Sequence, residues 1–378
     1  MMHSSYVLQV CDNMLHDHDY LSTPRMGRVV DFVDHMADEC PEMNDFLCDF
    51  RTAQQCHEKL SVMQSKGQEL ALSAMKDDNN TFSYYTGLPN YEVFLALYDY
   101  LAPVTKDMQH VSNSGKVHNA KRFRCKPGRP RSLSLEEELF STLVWLRLGL
   151  PARDLSRRCG IAQSTFSVIF NTWVILLATK LENICRMPHN DRSKTKQAEC
   201  FENFDSVRIV LDCTELFNQT PGSLAAHKHM QSNYKHHSTV KFLVGTSPSG
   251  AVIYISRMWG GRASDKKITS EADDLIRSLQ SGDTVMVDRG FTISKDLPDG
   301  VSLLIPPFKN RSTGQFTKEL EYSEKISVAR IHVERAMRVI IEIQILAVEV
   351  KLAMINNYEN IFKACAYLVN FKRPFLKV

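Results

Sequence analysis

The 378-residue chain carries 46 basic and 43 acidic side chains, with 43% hydrophobic and 24% charged residues. That is the make-up of a globular protein with room for two or three cores. No apolar run approaches 18 residues, Met1–Val10 lacks the basic start and apolar stretch of a secretory signal, and the ten cysteines form no C-x-x-C pair; the expectation is a soluble, intracellular protein with reduced thiols and no membrane partner.

The net charge of +3 conceals an asymmetry, since residues 1–100 hold 16 acidic against 6 basic side chains and the remainder 27 against 40. A basic majority of this kind is either a solvated surface or one that meets a polyanion. The acidic N-terminal region, residues 1–80, has no motif of its own. Cys40, Cys48 and Cys56 with His35 and His57 lack the tight ligand pairs of a structural zinc site.

From Thr81 the text changes. A short helical segment, 81–111, contains the apolar Tyr91–Leu101 at helical spacing. A basic linker, 112–132, follows, with seven basic residues and no acid between Asp107 and Glu136. Within it Lys121, Arg122, Arg124, Arg129 and Arg131 are candidate DNA contacts, and Pro-Gly-Arg-Pro-Arg is similar to an AT-hook that slips into a narrow minor groove. A solvated linker or nuclear-import signal reads equally well.

Residues 133–185 are predicted as a helix-turn-helix module. Ser134 and Glu137 form a capping box for a helix through Leu148, Gly149-Leu150-Pro151 breaks it, and Ala152–Cys159 is a second helix. After the turn at Gly160-Ile161-Ala162, the third helix from Gln163 would present Gln163, Ser164 and Thr165 to bases, with Arg157 on phosphates. A helical bundle that packs or dimerises is the alternative.

Beyond a second linker, 186–204, the period changes to that of strands. Ser206–Asp212 is a β-branched run, Val240–Ser247 and Ala251–Ser256 flank a Pro-Ser-Gly turn, Lys266–Gln280 reads as a helix, and Thr284–Val287 is a strand ending at Asp288. Val301–Ile305 reads as a strand, Ser323–Ile341 as an amphipathic helix, Ile343–Val350 as a strand, and Tyr358–Phe371 as a last helix. Residues 205–350 form one domain by this reading, and 351–378 a C-terminal helix packed on it.

Asp212 and Asp288 each end an apolar run and Glu334 lies on a helix. Such carboxylates can converge, and a hard divalent cation resolves their repulsion and acts on phosphate. Equally, the aspartates are turn residues, and Glu334 pairs with Arg330 and Arg338 in a surface ladder.

The wider text resembles a known family. Leu211-Asp212-Cys213-Thr214-Glu215, Tyr234-Lys235, Val240–Gly245, Trp259–Lys266, Val287-Asp288-Arg289-Gly290-Phe291 and Arg330–Arg335 are similar, in order, to the DDE endonuclease domain of Harbinger/PIF-type transposases. The resemblance implies an α/β, RNase H-like catalytic domain, a mixed sheet flanked by helices, behind an all-α helix-turn-helix region. It implies a DNA endonuclease or transposase with Asp212, Asp288 and Glu334 as catalytic metal ligands for Mg²⁺, with Mn²⁺ as substitute. Some family members are domesticated, catalytically silent DNA-binding proteins. Lys228, Lys235 and Lys241 are further candidate DNA contacts, and Glu215, Asp265 and Arg289 candidate supports of the site. The expected partner is double-stranded DNA in the nucleus, with a homodimer and an accessory DNA-binding protein as further expectations.

Overall fold

The computed structural model describes residues 70–105, 108, 131–187, 199–288, 290–291, 293–306 and 317–372. Among the described residues six helices come first: α1 (Leu72–Met75), α2 (Asn79–Thr86), α3 (Tyr91–Thr105), α4 (Leu135–Leu148), α5 (Ala152–Arg158) and α6 (Gln163–Ile184). Local chemistry sets their ends. Asp78 accepts hydrogen bonds from the Asn80 and Thr81 amides at the start of α2, and Ser134 with Glu137 makes a complete capping box on α4. Gly149 ends α4 at φ 60°, a conformation that a side chain resists, against the Gln344 backbone.

Phe82, Phe94, Phe140, Phe166, Phe170 and Trp173 fill the interior of this layer. The buried carboxylate of Glu138 is held by Arg131 at 2.8 and 2.9 Å and by the Trp173 indole N–H at 2.9 Å. By length and composition α6 could cross a membrane, even without an uninterrupted apolar run of 18. Half of its most apolar window is buried inside the protein, where it packs on α4, α5 and the last helix.

The second part is a mixed sheet. Its strands are β1 (Val207–Phe217), β2 (Thr239–Thr246), β3 (Val252–Ile255), β4 (Trp259–Gly260), β5 (Thr284–Met286) and β6 (Ser302–Leu304), in the order β3-β2-β1-β5-β6, with β4 on β2. The first three strands are antiparallel meander neighbours, and β1, β5 and β6 run parallel. Helix α7 (Leu224–Met230) interrupts the β1–β2 connection, α8 (Asp265–Ser270) and α9 (Asp273–Ser278) precede β5, and α10 (Thr317–Ile341) packs on β1 and β2. The last elements are α11 (Gln344–Ala347) and α12 (Tyr358–Leu368). This is the RNase H-like α/β arrangement that the sequence predicted, with the all-helical region upstream.

Three expectations change. The single helix expected over Lys266–Gln280 is two, because Ala272 leaves helical geometry at ψ 62°. Ile343–Val350 is not a strand: Gln344–Ala347 is one helical turn, and only Val350 bridges to Asn218. The last helix ends at Leu368 and tightens to a 3₁₀ turn through Phe371. The Gly260-Gly261 pair has a steric reason. A Cβ on Gly260 would stand 2.3 Å from the His229 carbonyl oxygen, and one on Gly261 1.9 Å from Thr239 Oγ1, so only bare backbone lets the end of α7 lie against β4.

Candidate active site

Side-chain alternation along the sheet decides which groups meet. Val207 and Val210 of β1 and Met286 of β5 pack with Ile326, Ala329 and Val333 of α10 in one cluster. Ile209, Leu211, Val285 and Val287 point the other way, toward α8 and α9. Parallel pairing sets Val210 beside Met286. Two residues further on come Asp212, which lies within β1 and does not end it as the sequence suggested, and Asp288, just past the end of β5 and on the α10 side.

Helix α10 meets them with Arg330 and, one turn on, Glu334. Arg330 Nη1 lies 3.1 Å from Asp288 Oδ1, and its Nη2 lies 3.6 Å from Glu334 Oε1. The guanidinium is 12% exposed, while the two carboxylates are about half exposed. Its Nε is buried with no hydrogen-bond partner among the described residues. Asp212 accepts the Cys213 backbone N–H at 2.7 Å. Burial pushes its carboxyl up to about 6; the Cys213 amide and Arg330 oppose this, and the charges of Asp288 and Glu334 add to it. The three carboxylates therefore share one electrostatic neighbourhood, with Arg330 among them.

Oxygen donors from the middle of β1, from the residue two past the end of β5 and from a facing helix are the ligand type that a hard divalent cation takes. Among the described residues no three His, Cys, Asp or Glu side chains close on a point at ligand distance. The donor set fits such a cation, and the Arg330 guanidinium occupies the cationic position.

The supporting residues lie on the opposite face. Lys241 of β2 is cross-strand neighbour to Glu215 of β1; its Nζ is 3.0 Å from both Glu215 and Asp265, with the Ala263 carbonyl at 3.3 Å. Lys241 is 8% exposed, so its predicted contact with DNA is corrected: it is a buried counter-ion for two acids. Asp265 opens α8, but Ser264 is the residue that caps it. Arg289 lies outside the described residues, as do Lys121, Arg122, Arg124 and Arg129. Arg131 departs from the DNA-contact expectation too, since its guanidinium bridges Glu138 and the Met108 carbonyl.

The remaining candidates are exposed. Gln163, Ser164 and Thr165 occupy the first turn of α6 and Arg157 the end of α5. Lys228 is on α7, and Lys235 lies over the Tyr234 ring, itself 81% exposed. Arg330 is the functional neighbour that sequence reading left in a surface ladder; its four-residue offset from Glu334 was visible, but its reach to Asp288 was not.

Residues 211–370 match the family model described as DDE superfamily endonuclease, and residues 131–183 match helix-turn-helix of DDE superfamily endonuclease. A helix-turn-helix upstream of a DDE endonuclease domain fits a DDE-type transposase and supports a transposase or nuclease function with DNA as partner. That superfamily generally uses divalent metals. No curated protein matches the chain.

Proposed function

We propose that this protein is a divalent-metal-dependent DNA endonuclease of the Harbinger kind that cuts phosphodiester bonds, with Asp212, Asp288 and Glu334 as its metal ligands. The observation that supports the reading is that Asp288 and Glu334 both pair with Arg330, with the Asp212 carboxyl within the field of all three. A bound Mg²⁺, or Mn²⁺ in its stead, would supply Lewis-acid activation of the phosphate and of its attacking water. The chain's own residues supply the oxygen donors, while the first turn of α6, Arg157, Lys228 and Lys235 hold DNA. Nuclear residence follows from this reading.

The test is plasmid nicking. The wild-type chain with Mg²⁺ or Mn²⁺ nicks DNA, and Asp288→Asn abolishes nicking while sparing DNA binding in a gel shift. Equal cleavage by both chains rejects the roles assigned. One observation favours a second reading, a catalytically silent DNA-binding protein: Arg330 already neutralises two of the three acids. Binding without metal-stimulated cleavage by the wild type would establish it.

A further inference from the structure

The half-exposed carboxylates of Asp288 and Glu334 lie against a guanidinium that is largely buried. A surface ion-pair ladder would have the reverse look, with both partners in water and little energy at stake. Arg330 instead projects from the buried stripe of α10, adjoining Ala329 and Val333; its Nη groups face the acids and its Nε is enclosed. The Asp212 carboxyl also feels its charge. Without Arg330, three acids within reach of one another's charge would have no cation among them, an arrangement that a low-dielectric site resists.

We propose that Arg330 is a positioning residue that acts as the built-in counter-ion of the metal-free site. It keeps Asp288 and Glu334 drawn toward Asp212 and competes with the divalent ion for both. The inference rests on the metal-binding role assigned to the triad. A competing unit charge a few ångströms from the ligands weakens cation binding by about five- to tenfold, and its removal restores that factor. The cost of removal is a less stable metal-free protein, because the acids then repel one another.

The experiment titrates Mn²⁺ into the full-length chain without DNA, by calorimetry, for wild type, Arg330→Gln, Asp288→Asn and the double variant. Arg330→Gln is expected to bind Mn²⁺ about five- to tenfold tighter than wild type, and both chains carrying Asp288→Asn are expected to lose binding. Equal or weaker binding by Arg330→Gln overturns the competition. Retained binding in both Asp288→Asn chains instead overturns the triad as ligand set, and no binding in any folded chain overturns both. A second readout needs no destabilising change. In the wild type, the Arg330 Nε–H resonance, assigned by its loss in Arg330→Lys, shifts on Mg²⁺ addition; a resonance that stays put while Mg²⁺ binds overturns the proposal.

Discussion

Lys241 Nζ stands 3.0 Å from Asp265 Oδ1 on the face of the sheet turned away from Asp212, and equally close to Glu215. Removing one partner of such a buried set leaves uncompensated charge, at a cost of about 3–5 kcal/mol. Lys241→Met is therefore expected to lose about 3 kcal/mol of stability in urea unfolding, with the salt dependence of DNA binding unchanged. A shallower salt slope would return Lys241 to the DNA surface.

Glu138 is the corresponding point in the helical layer, 1% exposed and tied to Arg131 and Trp173. Glu138→Ala leaves the buried Trp173 indole N–H, and the Arg131 guanidinium that is about a third exposed, short of an acceptor, and the expected loss is roughly 1–3 kcal/mol. Thermal melting followed by Trp fluorescence checks it.

Asp212 sets a pH dependence. Its carboxyl titrates near about 6 in the fold, against roughly 4 in an unfolded chain. Its contribution to stability is thus fully present below pH 4 and lost as pH rises through 6. Asp212→Asn removes that loss: without metal, the variant is expected to be more stable than wild type by about 1–2 kcal/mol at pH 7.5 and equal to it at pH 4. Chemical denaturation at both values measures this, and a gain that persists undiminished at pH 4 contradicts it. The variant also forfeits any stabilisation by Mg²⁺.

Exposed cations near the helical module and α7 predict a graded electrostatic effect. Arg157→Ala, Lys228→Ala and Lys235→Ala are each expected to lower the slope of log K against log salt by about one unit. Gln163→Ala is expected to change sequence preference with the slope intact. Fluorescence anisotropy over a salt series distinguishes the two kinds of contact.

Much of the site was legible. Asp288 follows a short strand as expected, Asp212 lies inside a strand that runs on to Phe217 through residues too polar to read as one, and the stripe Ile326, Ala329, Val333, Ala336 foretold the buried face of α10. Lys241 was misread because every residue of β2 is buried, so alternation could not separate an outward lysine from an enclosed one. Ile343–Val350 misled for a related reason: a short apolar segment fits strand and helix periods alike, and Gly149 packing on Gln344 is a tertiary fact that no local pattern holds. Arg330 lay beyond reach because its nearest acid is 42 residues away in the chain.

Helix α6 offers its first turn to solvent, while its later turns pack on α12, with Glu182 3.1 Å from Lys363, and just beyond the two helices Asn370 donates to Cys185 Sγ at 3.3 Å. Helix α12 packs in turn on β3, a strand of the sheet that carries Asp212. The exposed first turn of α6 and the acids of the sheet are thus joined by packed side chains as well as by the intervening chain, so adding or removing a few residues between Met187 and Glu199 is expected to leave their separation unchanged.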